Sequence, residues 1–148
     1  MHTVSSPPDV AEWWFEHRVS YGETDAMAYL YYAEYLHLFE RARSDFIRNR
    51  GMSYADIERQ GIMLPVREAR CRYRKPAHYD DLLRICVSIS EFGRASLTFV
   101  YAVYDAEGKT LHAEGMTQHA CAATADRRPV PLPGWLKNLL SGALPCPK

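Results

Sequence analysis

The sequence predicts an α+β domain in which a curved antiparallel sheet wraps around one long helix. Apolar residues recur with helical spacing over one long segment in the first third of the chain, and the spacing changes to two-residue alternation afterwards. The alternating segments are joined mostly by tight turns, which imply antiparallel pairing. A single amphipathic helix must bury its apolar stripe on one face of such a sheet.

The composition is that of one globular domain. The chain has 148 residues, of which 47% are hydrophobic, and 18 Lys+Arg balance 18 Asp+Glu. This length supports a single core, and zero net charge provides no field that attracts nucleic acid or anionic membranes. With no visible targeting segment and no apolar run long enough to span a membrane, we expect a cytoplasmic protein. We assign residues 11–140 to the domain, 1–10 to a loose leader and 141–148 to a tail.

The elements follow in order along the chain. Alternation predicts a first strand at 13–20, and the long helix is predicted from residue 31 or 32 to 50, ending before Gly51. The apolar positions of this helix are Tyr32, Tyr35, Leu36, Phe39, Ala42, Phe46 and Ile47. The remaining predicted elements are a short helix at 54–60, an apolar stretch at 62–66, strands at 68–74, 83–89, 96–104 and 110–122, and a short helix at 135–140.

Most catalytic and metal-binding motifs are absent from the sequence. There is no nucleophile elbow, phosphate-binding loop, dinucleotide-binding glycine motif or zinc-protease helix. His112 and His119 are seven residues apart on one predicted strand, which directs them to opposite faces and makes a poor metal pair. The cysteines lack zinc spacing, and we expect reduced thiols. They are Cys71, Cys86, Cys121 and Cys146.

A carboxylate shortly before the long helix is the main candidate for chemistry. Asp25 lies seven residues before Tyr32, at the predicted helix start. The first amides of a helix lack intrahelical partners and carry partial positive charge, so they suit a developing oxyanion. A nearby carboxylate can attack a carbonyl or take a proton from water. Alternatively, Asp25 is a turn residue that binds its own backbone, and the spacing leaves both interpretations open.

The residues around this carboxylate form a specific pattern. They read VSYGETD at 19–25, YYAEYL at 31–36, FERAR at 39–43, LPV at 64–66 and YRKPAHYDD at 73–81. Together they resemble the hotdog-fold acyl-CoA thioesterases of the 4-hydroxybenzoyl-CoA thioesterase type, especially the bacterial branch encoded beside tol–pal genes. The resemblance covers about residues 15–133.

The resemblance implies a hotdog fold and assigns roles to individual residues. Asp25 matches the catalytic carboxylate, which serves as nucleophile or general base against the thioester. Tyr32 matches the position whose backbone N–H polarises the thioester carbonyl, and Tyr21 matches a tyrosine that some relatives place beside the carboxylate. Tyr29 and Met63 are candidates for the acyl pocket, with core or interface packing as the alternative. No metal or cofactor is implied, because coenzyme A is part of the substrate.

Coenzyme A carries phosphates, which arginine binds well. Arg94, Arg127 and Arg128 lie where the related thioesterases place phosphate contacts. The alternating arginines of 70–74 are more typical of a solvated sheet face. The resemblance also implies a homodimer or homotetramer with the site between protomers, since hotdog domains pair through their sheets.

Two departures from the family pattern bear on function. Ala28 stands where the family usually has glycine, and Tyr32 replaces the histidine of the tol–pal branch, so hydrogen bonding replaces any proton-shuttling role there. The second hypothesis is therefore a hotdog module that binds acyl-CoA or an acyl carrier protein without turnover. A dehydratase on the same fold would need a paired histidine and acidic residue, for which the sequence has no motif.

Overall fold

A computed structural model describes residues 12–142 and has the predicted α+β architecture. Five antiparallel strands form one sheet in the order β1-β4-β5-β6-β3, and β2 and β7 form a separate two-stranded ribbon. The elements are β1 (Trp13–Arg18), a 3-10 turn (Tyr21–Glu23), α1 (Glu34–Asn49), α2 (Tyr54–Arg59), β2 (Ile62–Met63), β3 (Val66–Tyr73), β4 (Leu82–Phe92), β5 (Ser96–Asp105), β6 (Leu111–Ala120), β7 (Ala122–Ala123) and α3 (Gly134–Ser141).

The central strands bury the alternating residues that the sequence places on one face. Ile85 of β4 lies opposite Val103 of β5, and the pairing continues along both strands with one register shift after Ile89. Because successive side chains of a strand point to opposite faces, every second residue meets the helix side of the sheet. The buried residues of this face in β4 and β5 are Leu83, Ile85, Val87, Ile89, Leu97, Phe99, Tyr101 and Val103.

The helix α1 packs on the sheet through aromatic contacts. The Phe39 ring stacks on Tyr101 with centroids 4.3 Å apart, and Phe46 meets Phe99 edge-on at 6.0 Å. All four rings are almost completely buried, and burying one such side chain stabilises the fold by about 1.5–3 kcal/mol. Gly115 of β6 permits this packing, because a Cβ there would overlap the Phe39 ring and a backbone carbonyl of β3.

The start of α1 differs from the prediction. The helix begins at Glu34, and Tyr32 belongs to a turn that precedes it. Tyr32 and Leu36 are exposed by 59% and 42%, whereas Leu38 is buried in their place. At the other end Gly51 has φ of 115°, which confirms the predicted left-handed residue after the helix.

Two boundaries also shift. The predicted strand 110–122 is interrupted at Cys121, whose N–H donates to the Ala95 carbonyl at 2.8 Å and leaves the sheet ladder. Helix α3 extends to Ser141, the first residue of the predicted tail. The predicted leader 1–10, the rest of the tail from residue 143 and its Cys146 lie outside the described residues.

The cysteines and histidines of the domain have ordinary structural environments. The thiols of Cys71, Cys86 and Cys121 are free, and burial raises the pKa of Cys71 to about 11 and of Cys86 to about 12. His112 is the extra residue of a bulge, between Ala113 opposite Val103 and Leu111 opposite Tyr104, and both His112 and His119 are buried. Between residues 12 and 142, no cluster of three or more metal-ligating side chains occurs, and no helix is long and apolar enough to cross a membrane.

Candidate active site

Asp25 lies in a tight loop that its own side chain closes. The Asp25 N–H donates to the Tyr29 carbonyl at 2.9 Å, and the Ala28 N–H donates to the Asp25 carbonyl at 2.9 Å. Its Oδ1 accepts hydrogen bonds from the Met27 and Tyr29 N–H groups at 2.9 and 3.1 Å. The turn interpretation is therefore correct for one carboxylate oxygen. The other, Oδ2, accepts no hydrogen bond within residues 12–142, and the residue is only partly buried.

The loop retains the backbone shape that glycine would favour. Ala28 has φ of 65°, in the left-handed region. In that region the alanine Cβ is crowded by the backbone, which costs about 1–2 kcal/mol. Alanine in place of the family's glycine thus keeps the left-handed backbone conformation at residue 28 and strains it.

Glu23 anchors the N-terminal side of this loop. Its Oε1 accepts hydrogen bonds from the Ser20 N–H at 2.7 Å and from His17 at 2.8 Å, and its carbonyl accepts the Tyr31 N–H at 2.9 Å. Arg41 donates to Nδ1 of His17, so His17 must donate to Glu23 through Nε2. Partial burial opposes ionisation of Glu23, but the Ser20 and His17 hydrogen bonds lower its pKa overall.

The C-terminal side of the loop is fixed to the residues that precede β4. Leu30 is buried and donates its N–H to the Ala77 carbonyl at 2.8 Å, while Tyr29 pairs with His78 through a backbone bridge. The Tyr29 ring meets the His78 ring edge-on at 5.6 Å. The loop that carries Asp25 is thus held at both of its ends.

Two backbone amides at the entry to α1 are held in place but remain unused. The Tyr31 carbonyl accepts the Glu34 N–H at 2.9 Å, and the Tyr32 carbonyl accepts both the Tyr35 N–H at 3.3 Å and the Tyr73 hydroxyl at 3.0 Å. Because a peptide unit is planar, these bonds orient the N–H groups of Tyr32 and Ala33. In the part of the chain that the structure describes, neither N–H donates a hydrogen bond. The helix dipole gives this end partial positive charge.

The tyrosines around these amides are held in their neutral form. Burial raises the pKa of Tyr35 to about 12, and burial also raises the pKa of Tyr73. The pKa of Tyr31 is raised by its hydrogen bond with Tyr32 and by the charges of Tyr32 and Asp25. Tyr31 is also tied to the loop that carries Asp25, because its N–H donates to the Glu23 carbonyl at 2.9 Å.

The structure divides the predicted site residues into two groups. Asp25 and Tyr29 are hydrogen-bonded in one loop, and Tyr32 follows in the turn that binds Tyr73 at the end of β3. Tyr21 lies near the same loop, but it is 79% exposed and its ring meets Tyr79 edge-on at 5.6 Å. Tyr73, whose hydroxyl orients the Tyr32 peptide, was not predicted, because no sequence pattern links residues 41 positions apart.

The other predicted binding residues lie at the opposite end. Met63 pairs with Ala122 in the β2–β7 ribbon, and the Arg94 carbonyl accepts the Leu132 N–H beside it. Arg127 and Arg128 are exposed in the turn that follows β7. The sheet strands separate the two groups by about 34 Å, the length of ten residues at about 3.4 Å each. A single chain therefore does not bring the arginines to Asp25.

Comparisons with known proteins identify the family of this chain. Residues 19–140 match the family model described as the thioesterase-like superfamily. The acyl-CoA thioester hydrolase YbgC of Escherichia coli O6:H1 (strain CFT073) is 32% identical over 116 residues, which are 78% of this chain and 86% of the relative. The 1,4-dihydroxy-2-naphthoyl-CoA hydrolase of Thermosynechococcus vestitus is 29% identical over 129 residues, 84% of this chain and 88% of the relative.

Solved structures show the same fold. The crystal structure of a hypothetical protein from Aquifex aeolicus superposes with a TM-score of 0.81 at 28% identity, covering 86% of this chain and 98% of that chain. The antiparallel sheet with its single long helix is the hotdog arrangement predicted from the sequence. By family match, sequence similarity and architecture, the chain belongs to the thioesterase-like superfamily and has its hotdog fold.

Proposed function

We propose that this protein is an acyl-CoA thioesterase that hydrolyses a thioester to the free acid and coenzyme A with the Asp25 carboxylate. The observations that carry the proposal are a carboxylate held through one oxygen in the loop that leads into α1, and two oriented amides at the start of α1 that donate no hydrogen bond among the described residues. The thioester hydrolase relatives support the reaction class.

The two oxygens of Asp25 have different tasks in this mechanism. Oδ1 is held by the Met27 and Tyr29 N–H groups and fixes the orientation of the carboxylate. Oδ2 has no partner among the described residues and is the oxygen that reacts. It either attacks the thioester carbon or removes a proton from a water molecule that attacks it.

The carbonyl oxygen of the thioester binds at the start of α1. The Tyr32 N–H, with that of Ala33 beside it, donates to this oxygen and stabilises the negative charge that develops as the carbon becomes tetrahedral. The Tyr73 hydroxyl acts as a positioning group. It donates to the Tyr32 carbonyl and so orients the Tyr32–Ala33 peptide unit, which carries the Ala33 N–H.

In this mechanism every atom and proton of the hydrolysis is accounted for by water, the thioester and Asp25. Water supplies a hydroxyl to the acyl carbon, the carbon–sulfur bond breaks, and the sulfur of coenzyme A takes up the remaining proton. In the nucleophilic route a mixed anhydride on Asp25 forms first and water then hydrolyses it. A single turnover in ¹⁸O-labelled water distinguishes the routes, since attack on the Asp25 carbonyl of the anhydride leaves the label in the enzyme.

A second copy of the chain completes the site in this proposal. Among the described residues, β3 pairs only with β6 and its outer edge is free. If two β3 edges pair antiparallel, the end that carries Arg94, Arg127 and Arg128 in one protomer lies beside the Asp25 end of the other. These arginines then bind the phosphates of coenzyme A across the interface. We expect a homodimer or homotetramer, and a monomer by light scattering at micromolar concentration contradicts this part of the proposal.

We also propose that the protein acts in the cytoplasm. Free thiols such as those of Cys71, Cys86 and Cys121 stay reduced there. The tol–pal branch of the family remains a prediction from the sequence resemblance.

A non-catalytic module that binds acyl-CoA or an acyl carrier protein is the second candidate. It is favoured by the strained Ala28 and by the bonding of Asp25 to its own loop. Incubation of the purified protein with acyl-CoAs and a thiol-detecting dye separates the two. Thiol release that Asp25→Ala abolishes supports the enzyme, whereas tight binding without thiol release supports the module.

A further inference from the structure

Side-chain hydrogen bonds connect α1, through β1, to the loop that carries Asp25. Nη1 of Arg41 in α1 donates to Nδ1 of His17 in β1 at 3.2 Å, and Nε2 of His17 donates to Oε1 of Glu23 at 2.8 Å. The same Glu23 oxygen accepts the Ser20 N–H at 2.7 Å. The side chains of His17 and Glu23 are largely buried, with 11% and 15% exposed. We refer to Arg41, His17 and Glu23 as the His17 network.

Arg41 determines where the proton of the His17 ring lies. A guanidinium has only donors, so Nδ1 of His17 must accept from Arg41 and carries no proton. The one N–H of the neutral ring is then at Nε2, which faces the Glu23 carboxylate. The guanidinium of Arg41 also packs over the Phe15 ring, 5.2 Å from its centroid, which holds the donor beside β1. A neutral imidazole in a single tautomer therefore holds Glu23.

Glu23 is linked to both groups that act in the proposed mechanism. Asp25 follows it by two residues, and the Glu23 backbone carbonyl accepts the Tyr31 N–H at 2.9 Å. The next amide along the chain is that of Tyr32, which is proposed to bind the thioester oxygen. A shift of Glu23 therefore displaces the carboxylate and the amide relative to each other.

The other attachments of this loop lead to different elements. Backbone bonds to Ala77 and Asp81 hold it to the segment before β4, and the Tyr73 hydroxyl holds it to β3. Strand β1 and helix α1 are joined separately, because Nε1 of Trp13 donates to Asp45 at 2.7 Å. The His17 network thus adds a connection from the loop to the helix whose first amides take part in the proposed reaction.

We infer that His17 is a positioning residue of this protein, which acts through Glu23 to fix Asp25 relative to the Tyr32 amide. This inference rests on the proposed thioesterase function. His17 binds Arg41 and Glu23 rather than the thioester, so its loss affects the chemical step and not substrate binding. A displacement of about 1 Å between reacting groups lowers the rate by about 10²-fold.

The test measures kcat and KM by thiol release from benzoyl-CoA or hexanoyl-CoA, whichever the unmodified protein hydrolyses faster. For His17→Leu, which removes both hydrogen bonds of the ring, we expect kcat to fall by about ten- to a hundredfold while KM stays within about twofold. His17→Gln restores kcat to within about threefold, because an amide accepts from Arg41 and donates to Glu23. Glu16→Gln, exposed on the opposite face of β1, is the matched control and changes neither constant.

Two further variants distinguish positioning from a general effect on folding. Arg41→Met, at an exposed position, removes the donor that fixes the His17 tautomer, and we expect kcat to fall several-fold. The same substitution has no further effect in His17→Gln, because an amide carries its donor whatever residue stands at position 41. In Asp25→Asn, His17→Leu lowers kcat by less than about threefold, since the carboxylate that it positions is already lost.

Three results overturn the inference: a kcat of His17→Leu within about twofold of the unmodified protein, an equal loss in His17→Gln, or the full loss repeated in the Asp25→Asn background. If the melting temperature shows that His17→Leu does not fold, Arg41→Met decides, and an unchanged kcat of that variant overturns the inference. Failure of the proposed function gives a different result. Asp25→Asn then keeps its activity, whereas an inactive Asp25→Asn beside a fully active His17→Leu refutes only the inference.

Discussion

Ala28→Gly tests the backbone strain of the loop that carries Asp25. Ala28 has φ of 65°, and its N–H donates to the Asp25 carbonyl at 2.9 Å. Glycine adopts this conformation without a steric penalty, so the substitution removes the strain and keeps the hydrogen bond. We therefore expect the loop to keep its shape and the protein to become more stable.

The expected gain is the difference between two opposing contributions. Relief of the left-handed conformation contributes about 1–2 kcal/mol. The greater freedom of glycine in the unfolded chain offsets about 0.4–1 kcal/mol of this. The net increase in the free energy of unfolding is about 1 kcal/mol, which for a chain of this size raises the melting temperature by about 3 °C.

Urea unfolding at a fixed protein concentration measures this change, since oligomerisation makes stability depend on concentration. Ala26→Gly is the matched control, because Ala26 is exposed in the same loop and is not among the residues with positive φ. We expect it to be neutral or destabilising. A destabilised Ala28→Gly protein, or equal effects of the two substitutions, refutes the argument that strain is stored at Ala28.

Three further substitutions have defined outcomes. Gly115→Ala places a methyl group against the Phe39 ring and a β3 carbonyl, and we expect urea unfolding to show a loss of about 1–3 kcal/mol; an unchanged midpoint contradicts the close packing. Burial lowers the pKa of His119 from 6.5 to about 4, so its neutral form favours the fold above pH 6.5, and this contribution of about 3 kcal/mol is lost as the pH falls toward 4. His119→Gln should reduce the difference in unfolding free energy between pH 7 and pH 4, and an identical pH dependence argues against a neutral buried imidazole. Tyr73→Phe removes the hydroxyl that orients the Tyr32 peptide, and we expect kcat to fall several-fold while KM stays within twofold; an unchanged kcat removes Tyr73 from the mechanism.

The elements that depend on local periodicity were predicted well from the sequence. The strands β4 and β5 and the body of α1 follow from residue spacing, because one buried face imposes a period of two or 3.6. The start of α1 was predicted two or three residues early, and the turn that precedes it binds the hydroxyl of Tyr73, which is far away in the sequence. The bulge at His112 likewise changes strand parity without a sequence signal.

The candidate site was only partly accessible from the sequence. Asp25 was proposed from its spacing to the helix and from the family resemblance, and its role stays a prediction, whereas the left-handed Ala28 answers the question raised by the missing glycine. The hydrogen bonds that join Arg43 to Tyr101 and Tyr101 to Thr117 were not predicted, because they connect three separate elements. Such contacts arise only from the packing of α1 on the sheet.

The most direct test of the account is the kcat/KM of Asp25→Asn with an acyl-CoA that the unmodified protein hydrolyses. Asparagine keeps an oxygen that accepts the Met27 and Tyr29 N–H groups, so the loop is preserved while the negative charge is lost. We predict a fall of about 10³-fold with an unchanged melting temperature. A variant that retains its activity within tenfold would show that the carboxylate of residue 25 does not perform the hydrolysis.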